Sequence, residues 1–152
     1  AASDVYKIQD LSSFSDYDEF IDFCKAIHAD EPDPELMAQD YEAFPRQWYN
    51  EGFMSEEDFD HIQEYTELCD KYDVDAVDDY MEFADELDNF EEAYCGEWDS
   101  EEDFARHIVE ECYDLERTMG DLSRYFDYEA FGRDLFMWDY NMGANNHVFR
   151  RI

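Results

Sequence analysis

Carboxylates are the groups in this sequence with the most chemistry available to them. Of 152 residues, 44 are Asp or Glu and only 10 are Lys or Arg, a formal net charge of −34. Paired carboxylates perform acid–base work when a pocket drives their pKa values apart. Here acidic pairs recur along the whole chain, so no pair is singled out and a solvated acidic face is the better reading. Calcium is the next chemistry to test. Asp73-Val74-Asp75-Ala76-Val77-Asp78-Asp79 opens like a calcium-binding loop. It places Asp78 where that loop needs its turn glycine and Val77 at a ligand position, and its apolar residues fit a helix better. His28, His61, His107 and His147 form no i,i+4 ligand pair and read as surface or half-buried side chains. Cys24, Cys69, Cys95 and Cys112 are widely separated, without a Cys-x-x-Cys pair, and read as buried free thiols. No phosphate-binding loop, dinucleotide fingerprint or nucleophile elbow is present. The sequence therefore predicts no enzyme, no metal and no cofactor.

Such acidity usually accompanies disorder, but this chain is 45% hydrophobic and 18% aromatic, with 13 Phe, 12 Tyr and 3 Trp. Each buried aromatic removes about 150–250 Å² from water, so the chain is expected to fold despite its self-repulsion. Solubility requires a net charge of only about 2–8 in a small domain. The excess points to a cationic partner, because nucleic acid and anionic membrane repel such a surface while a basic groove attracts it. A halophilic protein and a calcium buffer are the competing explanations.

The elements that must position these charges can be read from caps and periodicity. Ser15-Asp16-Tyr17-Asp18, Ser55-Glu56-Glu57-Asp58 and Ser100-Glu101-Glu102-Asp103 repeat one pattern, a Ser followed three residues later by Asp. Each predicts a helix start, with Ser as the cap and acids in the first turn. Apolar faces follow: Tyr17, Phe20, Ile21, Cys24 and Ile27; Phe59, Ile62, Thr66 and Cys69; Phe104, Ile108, Cys112 and Leu115, ending near Gly120. A further helix is expected through Val74, Val77, Tyr80, Met81, Ala84 and Leu87, and a last one, capped by Asp127, through Tyr128, Phe131 and Leu135. Strands are expected at Val5–Ile8, within Phe90–Trp98, and at Met137–Tyr140 and His147–Arg150 around a loop from Asn141 to Asn146. Sheet-bearing ends around a helical middle make an α+β fold. Three pieces are expected: an N-terminal α+β domain at 1–45, an acidic helical domain at 46–88 and a C-terminal α+β domain at 89–152. Their net charges are −10, −14 and −10, and six of the eight arginines and lysines after residue 45 lie in the last piece. A self-association surface is easier to build there.

Duplex DNA carries about one charge per 1.7 Å of axis. At that density 34 charges match about 58 Å of duplex, or about 17 base pairs, and a two-fold dimer about 34. The exposed sides of two helices could supply carboxylates on such a pitch: Glu56, Glu57, Asp60, Glu64 and Glu67 on 55–71, then Asp75, Asp78, Asp79, Glu82, Asp85 and Glu86 on 73–88. Glu101 and Glu102 extend the acidic surface. A protein of this kind copies phosphates without base edges, so it blocks related enzymes whatever sequence they recognise. On charge alone the target is a basic nucleic-acid-binding protein, such as a CRISPR nuclease or a histone-like protein.

Two segments carry a family resemblance. They are Ala26-Ile27-His28-Ala29-Asp30-Glu31-Pro32-Asp33-Pro34-Glu35-Leu36-Met37-Ala38-Gln39-Asp40-Tyr41-Glu42 and Tyr125-Phe126-Asp127-Tyr128-Glu129-Ala130-Phe131-Gly132-Arg133-Asp134-Leu135. The ending with His147-Val148-Phe149-Arg150 agrees as well. They closely resemble the ArdA antirestriction proteins of conjugative plasmids and transposons. That resemblance implies a curved, elongated homodimer of three small domains per chain, imitating bent DNA. It implies the methyltransferase core of type I restriction–modification enzymes as partner, with restriction and often modification blocked. It also implies that Asp127, Tyr128, Glu129, Phe131, Arg133, Asp134 and Leu135 serve architecture and dimerisation before enzyme contact. Family members carry an extra strand and turn before the stretch matching Asp10–Phe14, so an abbreviated first domain is expected. Free thiols, and no leader or membrane-length apolar run in this sequence, place the expected site of action in the bacterial cytoplasm.

Overall fold

The computed structural model describes residues 9–30 and 32–152. The strand expected at Val5–Ile8 lies outside the described residues. Contacts divide the chain into two compact units, Ala1–Lys71 and Tyr72–Ile152.

In the first unit a 3-10 turn, Leu11–Ser13, precedes helix α1, Tyr17–Ile27. The cap of α1 is Asp16 rather than the expected Ser15. Its carboxylate accepts the Glu19 amide N–H at 2.8 Å, while the Glu19 carboxylate reaches back to the Ser15 N–H at 2.8 Å and Oγ at 2.7 Å. Two donors at the helix start are thereby satisfied reciprocally. The described residues after α1 carry no helix or strand before a second 3-10 turn, Arg46–Trp48, and helix α2, Glu56–Lys71. Ser55 opens α2 as expected, its Oγ accepting from the Asp58 N–H at 3.1 Å. The core face of α2 is turned from the expected one. Tyr65 and Leu68 are buried with Phe59 and Ile62, whereas Thr66 and Cys69 are half-buried. Tyr65 and Leu68 offer more apolar surface than Thr and Cys, and the inward choice follows that difference. Phe20 stacks between Phe53 and Phe59, each with its centroid 5.6 Å away. Gln63 ties α2 to the first turn by donating to the Leu11 and Phe14 carbonyls at 2.8 and 3.1 Å.

The second unit is α+β in its own right. Helix α3, Val74–Met81, and a single helical turn α4, Phe90–Ala93, lead into strand β1, Tyr94–Glu97. Helix α5, Glu101–Cys112, a short α6, Leu115–Met119, and a 3-10 segment, Gly120–Tyr125, follow. Helix α7, Tyr128–Trp138, and the hairpin β2, Tyr140–Met142, and β3, His147–Arg150, close the chain. The sheet is antiparallel in the order β1-β3-β2. Tyr94 faces Phe149, Glu97 faces His147, and the register shifts between them where Gly96 takes a φ of 92°.

Four sequence-based expectations are corrected here. The helix expected to reach Leu87 stops at Met81, so Ala84 and Leu87 lie beyond α3. The helix expected to run from Ser100 to near Gly120 stops at Cys112. Tyr113 is extended there, and Asp114 caps α6 by accepting the Arg117 N–H at 3.0 Å. Of Phe90–Trp98, the first four residues are helical and only Tyr94–Glu97 is strand. The strand expected from Met137 begins at Tyr140 instead, because α7 continues through Trp138, and it runs to Met142, which shortens the hairpin loop to residues 143–146.

The core of this unit is an aromatic cluster. Phe90 lies 4.9 to 5.7 Å, centroid to centroid, from Tyr72, Tyr80, Tyr94 and Phe149. A second focus is Phe104, against Trp98, Phe136 and Tyr140. Helices α5 and α7 approach closely at Gly132, where an added Cβ would stand 3.0 Å from the Glu101 carbonyl oxygen and 3.2 Å from the Ala105 Cβ.

Candidate interaction surface

Helix α2 carries seven acids in its sixteen residues. At a rise of about 1.5 Å per residue that is one carboxylate per about 3.4 Å of axis, the axial spacing of phosphates along one DNA strand. Glu56, Glu57, Asp60 and Glu67 are exposed, and Glu64 is half-buried. Glu56, Asp60 and Glu64 recur every fourth residue and so share one side of the helix. The apolar positions Phe59, Ile62, Tyr65 and Leu68 take the other side, and burying them is what turns the acids outward.

In the second unit Asp75 and Asp78 are exposed on α3, and Glu82, Asp85 and Glu86 are exposed just past its end rather than along it. Asp79 is the exception. It is 0% exposed, and its carboxylate accepts from Asn145 N–H at 2.9 Å, Asn145 Nδ2 at 2.9 Å and His147 N–H at 3.0 Å. The expectation of a surface acid is corrected at this position: Asp79 saturates donors of the β2–β3 loop and offers nothing to a partner. Glu101 and Glu102 are exposed in the first turn of α5, with Glu102 paired to Arg106 at 2.9 Å.

The segment Tyr125–Leu135 is part-buried, with Gly132 buried and Tyr125, Asp127, Glu129, Arg133 and Asp134 exposed. Asp127 caps α7 by accepting the Ala130 N–H at 2.9 Å. The Arg106 guanidinium lies 4.1 Å from the centre of the Tyr128 ring. Glu129 reaches Arg133 at 3.5 Å one turn on. Phe131 meets the edges of Phe126 and Tyr113, Leu135 is half-buried, and Asp134 is exposed. An apolar surface lies at the segment's start and just before it: Leu122 is 61% and Tyr125 74% exposed, with Tyr113 and Met119 also exposed. The break between α5 and α6 puts these side chains outside the core, and a pattern read as one continuous helix gave no sign of it.

Two further readings change. His147 is buried, with its Nδ1 3.1 Å from the Tyr94 hydroxyl. Of the four free cysteines only Cys24 is buried, Cys69 and Cys95 are half-buried and Cys112 is exposed. Burial pushes the Cys24 and Cys95 thiols up, away from the reactive thiolate. Among the described residues no three His, Cys, Asp or Glu side chains are grouped to hold a metal ion, and no helix is long and apolar enough to cross a membrane.

Fold and surface together define a strongly acidic α+β protein with carboxylates spread over its helix faces. The family model for antirestriction protein (ArdA) matches residues 9–149, and the chain belongs to that family. It is a family of inhibitors rather than enzymes, whose partners are restriction–modification enzymes and whose activity is antirestriction. No curated protein and no solved structure matches the chain.

Proposed function

We propose that the protein inhibits by DNA mimicry, occupying the DNA-binding groove of the methyltransferase core of type I restriction–modification enzymes in the bacterial cytoplasm, and that it catalyses nothing itself. The observation that carries this reading is α2, whose seven acids, five of them exposed, recur at about the axial density of one strand's phosphates. Phosphate contacts supply much of a DNA-binding protein's affinity and none of its sequence choice. A surface that copies phosphates alone therefore blocks enzymes of different recognition sequences, and it blocks modification as well as restriction because both need the same groove. The chain acts as a homodimer of three-part subunits, 1–45, 46–88 and 89–152, extending the run of negative charge. The exposed Tyr113, Met119, Leu122 and Tyr125, beside Arg117 and Arg124, support the last part as the self-association surface.

Competition tests the mechanism. Labelled duplex DNA bound to a purified type I modification methyltransferase is titrated with the protein at low and high salt. Displacement near stoichiometry, weakened by salt and indifferent to the DNA's sequence, is expected. No displacement at low salt and large excess would redirect the search to other basic nucleic-acid-binding proteins.

A further inference from the structure

Asp79 is chemically the most unusual acid of the second unit, because the loop it meets is built around it. In the loop between β2 and β3 three backbone N–H groups point toward α3. Those of Asn145 and His147 converge on the Asp79 carboxylate, at 2.9 and 3.0 Å, and that of Ala144 donates to Glu82 Oε1 at 3.2 Å. The Asn145 side-chain amide adds a donor at 2.9 Å. Asn146 takes a left-handed φ of 70° and donates its own N–H to the Gly143 carbonyl at 3.1 Å, a curl that leaves the N–H groups of residues 144, 145 and 147 facing the acids of α3 and its end. A concavity lined by main-chain N–H groups is an anion nest. The nest is closed on its far side as well, since a Cβ on Gly143 would lie 2.2 Å from the Asp79 Cγ.

We propose that Asp79 is the resident anion of this nest and a positioning residue for inhibition. By seating in the nest it fixes the exposed acids of α3 and its end, Asp75, Asp78 and Glu82, to the C-terminal sheet. This role rests on the DNA-mimic reading. Asp75, Asp78 and Glu82 face solvent within one helical turn and a half of Asp79. Their spacing toward a rigid basic groove depends on where α3 is held, and a groove matched to DNA rewards charges that are already in place. An acid that touches no partner thus decides how well its exposed neighbours do.

Asp79→Ala and Asp79→Asn are compared with wild type in thermal unfolding, with formate or chloride at equal ionic strength, and in displacement of duplex DNA from the methyltransferase. Asp79→Ala empties the nest and leaves buried donors unpaired, so its Tm falls by roughly 10 °C. Formate, a carboxylate small enough for the vacated space, returns several degrees to this variant and nothing to wild type. At a temperature where every variant is folded, Asp79→Ala displaces DNA at least about tenfold less well and with a shallower salt dependence, because fewer of its charges engage together. Asp79→Asn keeps the shape and one acceptor, and falls between. Val109→Ala, a buried α5 truncation of similar stability cost, leaves displacement within about twofold. Should Asp79→Ala not fold, Asn145→Ala, which removes one side-chain donor, takes its place and shows a smaller loss in the same direction. Formate acting no better than chloride overturns the nest. Displacement by Asp79→Ala equal to wild type, or equal to Val109→Ala, overturns the positioning role while leaving the mimic reading in force. Wild-type protein that displaces no DNA overturns the mimic reading, and the positioning role with it.

Discussion

At the scale of single residues, two glycines and one aspartate show how little spare room this charged chain leaves around its backbone. Gly143 faces the Asp79 carboxylate so closely that any side chain would overlap it. Gly143→Ala is expected to cost at least about 3 kcal/mol, combining overpacking with broken hydrogen bonds to a buried carboxylate. Gly132→Ala meets backbone on α5 at 3.0 Å, which only a small separation of α5 and α7 relieves, and should cost about 1–2 kcal/mol. Urea denaturation of the two variants checks both values, and the order Gly143 above Gly132 is the sharper test. The sequence held no sign of Asp79's inward role. Asp75, Asp78, Asp79 and Glu82 form one acidic stripe by helical spacing, and Asp79 lies at the edge where the β2–β3 loop lands. That contact joins residues 66 and 68 positions apart, beyond the reach of any local pattern.

At the scale of elements, helix starts were legible and helix ends were not. A start is written locally, in one side chain and the amide three residues on. Ser55, Ser100 and Asp127 all perform as their spacing suggests. Ser100→Ala should cost about 1 kcal/mol, because the Asp103 N–H loses its acceptor; thermal melting of the variant measures this. An end is set by what the chain packs against next. Helices α3 and α5 stop while their apolar periodicity still runs on, because Leu87 is buried beyond the end of α3 and Asp114 caps a new helix. At the start of α1 the local signal was misassigned by one residue, and the true box has a consequence with pH. Hydrogen bonds from the Ser15 N–H and hydroxyl hold the Glu19 carboxyl below the usual glutamate range. The folded state thus releases this proton more readily than the unfolded one. Its stabilising effect is complete above the unfolded pKa, about 4.3, and is lost as pH falls through the depressed folded value. Glu19→Gln should therefore flatten the acid limb of stability against pH in that window and leave the neutral-pH shape unchanged. Equal pH profiles for variant and wild type would remove Glu19 from the account of acid unfolding.

At the scale of the whole molecule, a net charge of −34 sets two opposing salt dependences. The folded chain gathers charges that the unfolded chain spreads out, so self-repulsion opposes folding. Added salt shortens the Debye length from about 30 Å at 0.01 M to about 10 Å at 0.1 M and relieves it. Attraction between this surface and a basic groove is screened by the same ions. Raising sodium chloride from 0.01 to 0.3 M should therefore raise the Tm while weakening displacement of DNA from the methyltransferase. The ion pairs of Arg106, Arg124, Arg133 and Arg150 do not reverse the first effect, because they are solvent-exposed and contribute little each. Charge that exists only for solubility would give the first dependence without the second, and a salt-requiring fold would lose its structure at 0.01 M. Converting Glu56, Glu57, Asp60 and Glu67 together to their amides separates the cases further. Folding should become less salt-dependent and no weaker, while displacement should fall by more than any one of the four changes produces. A quadruple variant that still displaces DNA as wild type does would move the contact surface off α2. The aromatic content made folding legible from composition alone, and the acidity made a cationic partner legible. Which carboxylates face outward was not, because that depends on helix rotation and on where α3 ends, and both are decided by packing between distant segments.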